Sequence, residues 1–295
     1  MTNKLERVLV ALDLSDMDKT LLRYVAAQHS FWGAEKIYFV HIMPDFTMPE
    51  NADAEFHKLF STDRPVDERI RDKIGLDVEQ HLRDLKEVSV EIEVIEGKPY
   101  DKLLHWIDVK EIDLLVVGHK RQSEGSGILP RRVARKADCN ILFVSDNPKM
   151  PEKILVPIDF SENSGRALQF AIDYSKRLPS AEVDGLHIVE APPEKYYLST
   201  AATSGFREML LEASHIAYKK MLDRENIDAK AIHMTFLKDD YVNISTRISD
   251  YIEHHAVDLV VIGAKGHSAI EKFFYGSVTE RLVEETIKAP VLVVR

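Results

Sequence analysis

The sequence predicts two tandem α/β domains, each built on a five-stranded parallel sheet with helices on both faces. Three observations carry this. Short β-branched runs alternate with longer segments of helical apolar spacing, a pattern that gives a parallel sheet covered by helices. Runs such as LLVV at 114–117 and LVVI at 259–262 are apolar at every position, as strands buried on both faces are. The chain also repeats itself. RVLVALDLS (7–15) matches KILVPIDFS (153–161), DLLVVG (113–118) matches DLVVIG (258–263), and CNILFV (139–144) matches APVLVV (289–294). The matches keep their order and gaps, so a unit of about 147 residues is duplicated, a period too long for a solenoid.

Taken in order, the first unit (1–147) reads as strands near 7–13, 36–42, 89–95, 113–118 and 140–145. SDNPKMPE, 145–152, is a polar linker with Pro148 and Pro151. The second unit (148–295) reads as strands at 153–159, 182–189, 229–236, 258–263 and 290–294, with helices near 163–178, 205–225, 241–255 and 276–287. In the first of these helices Ala167, Leu168, Ala171, Ile172 and Ser175 fall at three- and four-residue steps. The segments 43–66 and 190–204 read as long irregular loops, which in compact α/β domains face ligands or act as lids.

Composition excludes several classes. The chain has 295 residues, 45% hydrophobic and 30% charged, with a formal net charge of −10. Both halves carry an acidic excess, so neither nucleic acid nor an anionic membrane is expected as the main partner. The cluster Arg131, Arg132, Arg135 and Lys136 reads as a solvated helix face. No apolar run is long enough to span a bilayer, and the amino-terminal residues lack a signal-peptide pattern. Cys139 is the single cysteine, which leaves no internal disulfide and fits a reducing, cytoplasmic setting.

One window concentrates the chemistry. Of only 12 glycines in the chain, Gly263, Gly266 and Gly276 fall within VIGAKGHSAIEKFFYGSVTE, 261–280. Gly263 and Gly266 would let backbone N–H groups approach an anion without side-chain obstruction. Gly276, Ser277, Val278 and Thr279 open the last helix, whose unsatisfied N–H groups favour phosphate. The first strand of this unit ends in Pro157, Ile158 and Asp159 and enters a helix past Ser161. Ligands of open α/β sheets lie outside the carboxyl ends of strands, so neighbouring first and fourth strands would bring Asp159 and the glycine segment to one crevice. The alternatives are plain turn chemistry for the glycines, an N-cap role for Ser277 and a solvent-facing or capping role for Asp159. The segment is neither a Walker A loop nor a dinucleotide fingerprint.

Gly263-x2-Gly266-x9-Gly276-Ser277, with an Asp closing the first strand and the terminal PVLVVR, resembles the ATP-binding pattern of the universal stress protein family. Both halves resemble that domain. The resemblance implies the strand order 3-2-1-4-5 and pairing of the two domains as a pseudo-dimer through their last strands, 140–145 and 290–294, with homodimerisation as a further option. It implies ATP or AMP as the ligand, with Mg as a possible companion. Adenine and ribose would lie near Pro157, Asp159 and the backbone of Ile188. The phosphates would run along Gly263, Ala264, Lys265, Gly266, Gly276, Ser277, Val278 and Thr279.

The first unit departs from the pattern. It keeps Asp13 and Gly118, but Arg121 replaces the second glycine and stands only three residues before Gly125 and Ser126, with Gly127 and Pro130 altering the helix entry. Nucleotide binding is therefore expected in the second unit alone. Elsewhere, His187, His254 and His255 lack acidic or cysteine partners at metal spacing, so structural roles are expected and no metal. His267 lies inside the glycine segment without an orienting partner for catalysis. Phe273, Phe274 and Tyr275 read as packing residues. The expected role is nucleotide-dependent sensing or regulation of protein partners, a binding protein and not an enzyme. The rivals are a slow ATPase or nucleotide-derivative hydrolase, and a ligand-free interaction scaffold.

Overall fold

In each half, continuous apolar runs make the buried strands and amphipathic segments make the helices that cover them. The computed structural model describes residues 5–44, 64–82, 88–119, 132–133, 135–190, 200–239, 243–264, 276–285 and 288–295. Compactness divides the described chain into two units, one ending at Cys139 and the other running from Asn140 to Arg295. The division falls a few residues before the sequence repeat begins again.

The first unit runs β1 (Arg7–Leu12), α1 (Met17–Trp32), β2 (Lys36–Met43), α2 (Val66–His81), β3 (Ser89–Glu96), α3 (Pro99–Val109) and β4 (Leu114–Gly118). Its strands lie in the order β3-β2-β1-β4, all parallel. Local sequence explains the helix ends. Gly33, at φ 75°, closes α1 in the left-handed conformation and donates its N–H to the Ser30 carbonyl. Pro99 opens α3, where its missing N–H costs nothing. Leu9, Leu21, Leu22, Ile37, Phe39, Leu114 and Leu115 are fully buried between the layers.

The second unit runs β5 (Asn140–Val144), β6 (Lys153–Pro157), α4 (Glu162–Ser175), β7 (Glu182–Glu190), α5 (Thr200–Glu225), β8 (His233–Asp239), α6 (Ile244–His254), β9 (Leu259–Gly263), α7 (Ser277–Glu285) and β10 (Val291–Val294). The order is β5-β10-β9-β6-β7-β8. Within the repeat this is the expected 3-2-1-4-5 arrangement. The sixth strand, β5, comes from the end of the first repeat and pairs antiparallel with β10, Leu142 opposite Leu292, while β10 pairs parallel with β9 on its other edge. The backbone N–H of Arg295 donates to Asn140 Oδ1 at 3.1 Å and fastens the end of that ladder. Two last strands that would each be an apolar edge thus cover one another.

Several boundaries differ from the sequence reading. The strand expected at 229–236 begins at His233, because Asp228 accepts the N–H of Lys230 and winds Ala229–Ala231 into a 3₁₀ turn. Residues 200–204, expected as irregular loop, belong to α5. Helix α4 ends at Ser175, the strand from 153 ends at Pro157, and α7 starts at Ser277. Among the described residues, no helix is long and apolar enough to cross a membrane.

Candidate functional site

Strand β6 is the hinge of the second sheet. It pairs parallel with β7 on one side and β9 on the other, so a crevice opens at the carboxyl ends of these three strands, where connections leave in opposite directions. A cleft of about 310 Å³ occupies that place, within the range of small-ligand sites.

Asp159 stands at the mouth of β6. Its Oδ1 accepts the Ser161 hydroxyl at 2.6 Å and the Ser161 N–H at 3.0 Å. Ser161 Oγ in turn accepts the Ser164 N–H at 3.2 Å and caps α4. The turn requires Phe160 at φ 66°, the left-handed region that side-chain-bearing residues seldom enter. Arg224, near the end of α5, holds this turn from outside, donating to the Ser161 carbonyl at 3.2 Å and to the Phe160 carbonyl at 3.5 Å. The carboxylate is therefore fixed at both ends of its own turn.

Gly263, at the end of β9, has a specific steric reason. A Cβ there would lie 2.7 Å from the carbonyl carbon and oxygen of Asn163, in the first turn of α4. Only glycine lets the strand and the helix backbone come this close. Thr279, in the first turn of α7, is buried and donates its hydroxyl to the Gly263 carbonyl at 3.0 Å. The Gly276 N–H donates to the Ala264 carbonyl at 2.9 Å, and the Ala264 N–H to Val294. These bonds tie the start of α7 to the ends of β9 and β10, and aim its first turn, with unsatisfied N–H groups, at the cleft.

The structure gathers Pro157, Asp159, Ile188, Gly263, Gly276, Ser277, Val278 and Thr279 around one cleft. Ala264 is buried beside it without lining it. Lys265, Gly266, His267, Phe273, Phe274 and Tyr275 lie outside the described residues. Thr279 spends its hydroxyl proton on the strand, so its offering to an anion is the backbone. Ser277 is the first helical residue, not the cap.

Residues not singled out for the site also line the cleft. Ile244 and Ile248, one turn apart on α6, form an apolar wall with Ile188 and Ile262. His187, expected to be structural, points its ring there too. Its Nδ1 donates to the Ile158 carbonyl at 2.8 Å, and Nε2 lies 3.3 Å from Ser214 Oγ. Burial pushes its pKa below the ordinary imidazole value, partly opposed by that carbonyl bond and by the charges of Asp159 and Glu190. Phe160 packs on the ring at 4.3 Å between centroids. The one signal in the sequence is the placement of His187 near the carboxyl end of its strand.

The first unit repeats the turn. Asp13 Oδ1 accepts the Ser15 hydroxyl at 2.6 Å, Leu14 stands at φ 62°, and His41 Nδ1 donates to the Leu12 carbonyl at 3.0 Å. One exchange alters it. Asp18 replaces Ser164, and its carboxylate accepts the N–H groups of Asp13 and Leu14 at 3.1 and 2.8 Å. A buried carboxyl group thus sits where the second unit has a hydroxyl. Arg121, Gly125, Ser126, Gly127 and Pro130 lie outside the described residues. Of the basic cluster, Arg132, Arg135 and Lys136 are exposed and Arg131 is outside the described residues. Cys139 is buried.

Comparison with known proteins follows the repeat. The model of the universal stress protein family matches residues 4–145 and again 150–295. Two universal stress proteins of Methanocaldococcus jannaschii, MJ0531 and MJ0577, are 28% and 27% identical over 52% and 50% of this chain, which is 87% and 96% of their own lengths. A universal stress protein structure from Archaeoglobus fulgidus covers 99% of this chain and 97% of its own at 16% identity, with a TM-score of 0.65. A putative one from Pseudomonas aeruginosa covers 99% of this chain and 94% of its own at 13% identity, with a TM-score of 0.66.

Proposed function

The chain belongs to the universal stress protein family as a tandem of two such domains, and we propose that its second half binds one adenine nucleotide, ATP or AMP, to regulate protein partners. The observation that carries this reading is the single cleft joining Asp159, the backbone at Ile188 and the first turn of α7. Each part suits one piece of a nucleotide. The Asp159 carboxylate, held by Ser161 in a turn whose backbone Arg224 braces, accepts ribose hydroxyls. The isoleucine wall takes the flat base, and the main chain at Ile188, at the cleft wall, reads its edge. The N–H groups of 277–279, together with Lys265 and Gly266, take the phosphates, with Mg as companion to a triphosphate.

Charge and chain length argue against this role for the first half. Asp18 already occupies the N–H groups of the turn after β1, and the segment around Arg121 lacks both the second glycine and six residues of loop. Native mass spectrometry of the purified chain, followed by calorimetric titration with ATP and with AMP, tests the proposal. One site per chain is expected, and Gly266→Arg, which copies the first half, abolishes it with an unchanged circular dichroism spectrum. Two equivalent sites, or full affinity in Gly266→Arg, would overturn the proposal.

A further inference from the structure

The opposite end of the second sheet carries a separate hollow, made visible by comparison with the first unit. There, at the amino ends of β2 and β3, the space over the sheet is filled. Tyr38 meets the edge of Trp106 with centroids 6.0 Å apart. The Lys36 ammonium lies 4.8 Å from the Tyr38 ring, and that of Lys110 lies 5.3 Å from Tyr38 and 5.0 Å from Trp106. Glu91 joins the two lysines at 2.7 and 3.5 Å. Its hydrogen bond with Lys36 lowers the carboxyl pKa and raises that of the ammonium. Two cations thus rest on aromatic faces and share a carboxylate.

The sheet register gives the counterparts in the second unit. Lys36 lies opposite Arg7 as Glu182 lies opposite Lys153, and Tyr38 pairs with Glu91 as Asp184 pairs with His233. In the matching eleven-residue helices, Trp106 and Tyr251 hold the same position, with Lys110 and His255 four residues on. Both lysines of the cluster are therefore gone. In place of the Tyr38 ring stands the short side chain of Asp184, and a trough of about 860 Å³ remains, lined by Glu182, Asp184, His233, Tyr251 and His255. Asp184 is the informative group. Its side chain is only 10% exposed, and its nearest basic neighbour among the described residues is the exposed His233 imidazole at 3.6 Å, beyond hydrogen-bond distance. Lys153 and Lys230 also line the trough and make no ion pair with it. A carboxylate so buried ordinarily has a hydrogen-bonded counter-ion. The Tyr251 ring, buried and stacked on His255 at 3.7 Å, supplies an aromatic surface beside it.

We propose that this trough is a binding site for an organic cation, an amine or guanidine on an apolar stem, with Asp184 as counter-ion and Tyr251 as platform. The ligand takes the place that Lys36 and Lys110 fill in the first unit. The site lies at the amino ends of the strands whose carboxyl ends form the nucleotide cleft, and it does not depend on that cleft being occupied.

Benzylamine is the probe, titrated into the isotope-labelled full chain and followed by amide chemical shifts, with benzyl alcohol as the neutral analogue. Saturable shifts confined to 182–184, 233–235 and 251–255 are expected with the amine alone. Asp184→Asn weakens binding about tenfold or more, since a hydrogen bond to a charged group is lost, and leaves nucleotide affinity unchanged. Equal binding of benzyl alcohol, shifts that centre on Asp159 and α7, or undiminished affinity in a folded Asp184→Asn chain would each overturn the proposal. Should Asp184→Asn not fold, the comparison of amine and alcohol on the unaltered chain decides.

Discussion

Replacing Gly263 by alanine tests the closest strand–helix contact beside the cleft. The added Cβ would stand 2.7 Å from the Asn163 carbonyl carbon and oxygen and 2.9 Å from its Cβ. Carbon contacts are comfortable from about 3.5 Å, so roughly 0.8 Å must be recovered by moving the first turn of α4 away from β9. Backbone cannot rotate aside as a side chain can. Overpacking of this kind costs about 1–3 kcal/mol, offset by about 0.4–1 kcal/mol from the stiffer unfolded chain. A net loss of about 1–2 kcal/mol is expected. The first unit supplies the control. At Gly118 the intruding Cβ meets Met17 Cγ at 2.6 Å, a flexible thioether that can change rotamer, so Gly118→Ala should cost less than about 1 kcal/mol. Urea unfolding followed by far-ultraviolet circular dichroism compares the two variants. Trp32 and Trp106, the only tryptophans, both lie in the first half, and their fluorescence reports that half separately. Equal costs in the two variants would refute the argument from backbone contact.

Three further outcomes follow from the described geometry. Ser161→Ala removes the cap of α4 and a 2.6 Å bond to Asp159; a loss of about 1–2 kcal/mol in chemical denaturation is expected, with weakened nucleotide binding in calorimetry, whereas Ser15→Ala leaves that affinity unchanged. His187 titrates below its ordinary value in the folded chain, so the unfolded chain takes up the proton first. Its contribution to stability is complete above about pH 6.5 and falls as the pH drops below that; thermal melting across this range should show a shallower acid decline in His187→Gln. Leu292, 4% exposed and flanked by Leu142 and Val261, tolerates no charge: Leu292→Asp should cost more than about 3 kcal/mol, read as a lowered denaturation midpoint or loss of soluble protein.

The strands were legible because a two-sided burial leaves an unbroken apolar run, and LVVI at 259–262 could hardly be anything else. The repeat then placed Asp159 and Gly263 at matching strand ends, which made the cleft foreseeable before its shape was known. What stayed hidden depends on contacts remote in sequence. In the sequence Gly263 signals only room for an anion to approach, but the atoms that exclude a Cβ there belong to Asn163, a hundred residues earlier. Ile244 and Ile248 showed only helical spacing; which wall they form depends on how α6 lies against the sheet. His187 looked like any strand histidine until the turn at Phe160 brought the Ile158 carbonyl to it. The start of β8 was lost to a three-residue turn set by Asp228.

The pairing of β5 with β10 has a consequence for how the chain is made. Ile141 waits for Val293, and at a synthesis rate of about 5–20 residues per second the two are separated by roughly 8–30 s of translation. During that interval the ribosome displays NILFV, a strand buried almost throughout in the finished protein, without its antiparallel partner. Exposed strands of this composition are the ones chaperones and aggregates compete for. A gene cut at the repeat boundary would make that wait permanent, leaving β5 on a fragment that lacks β10.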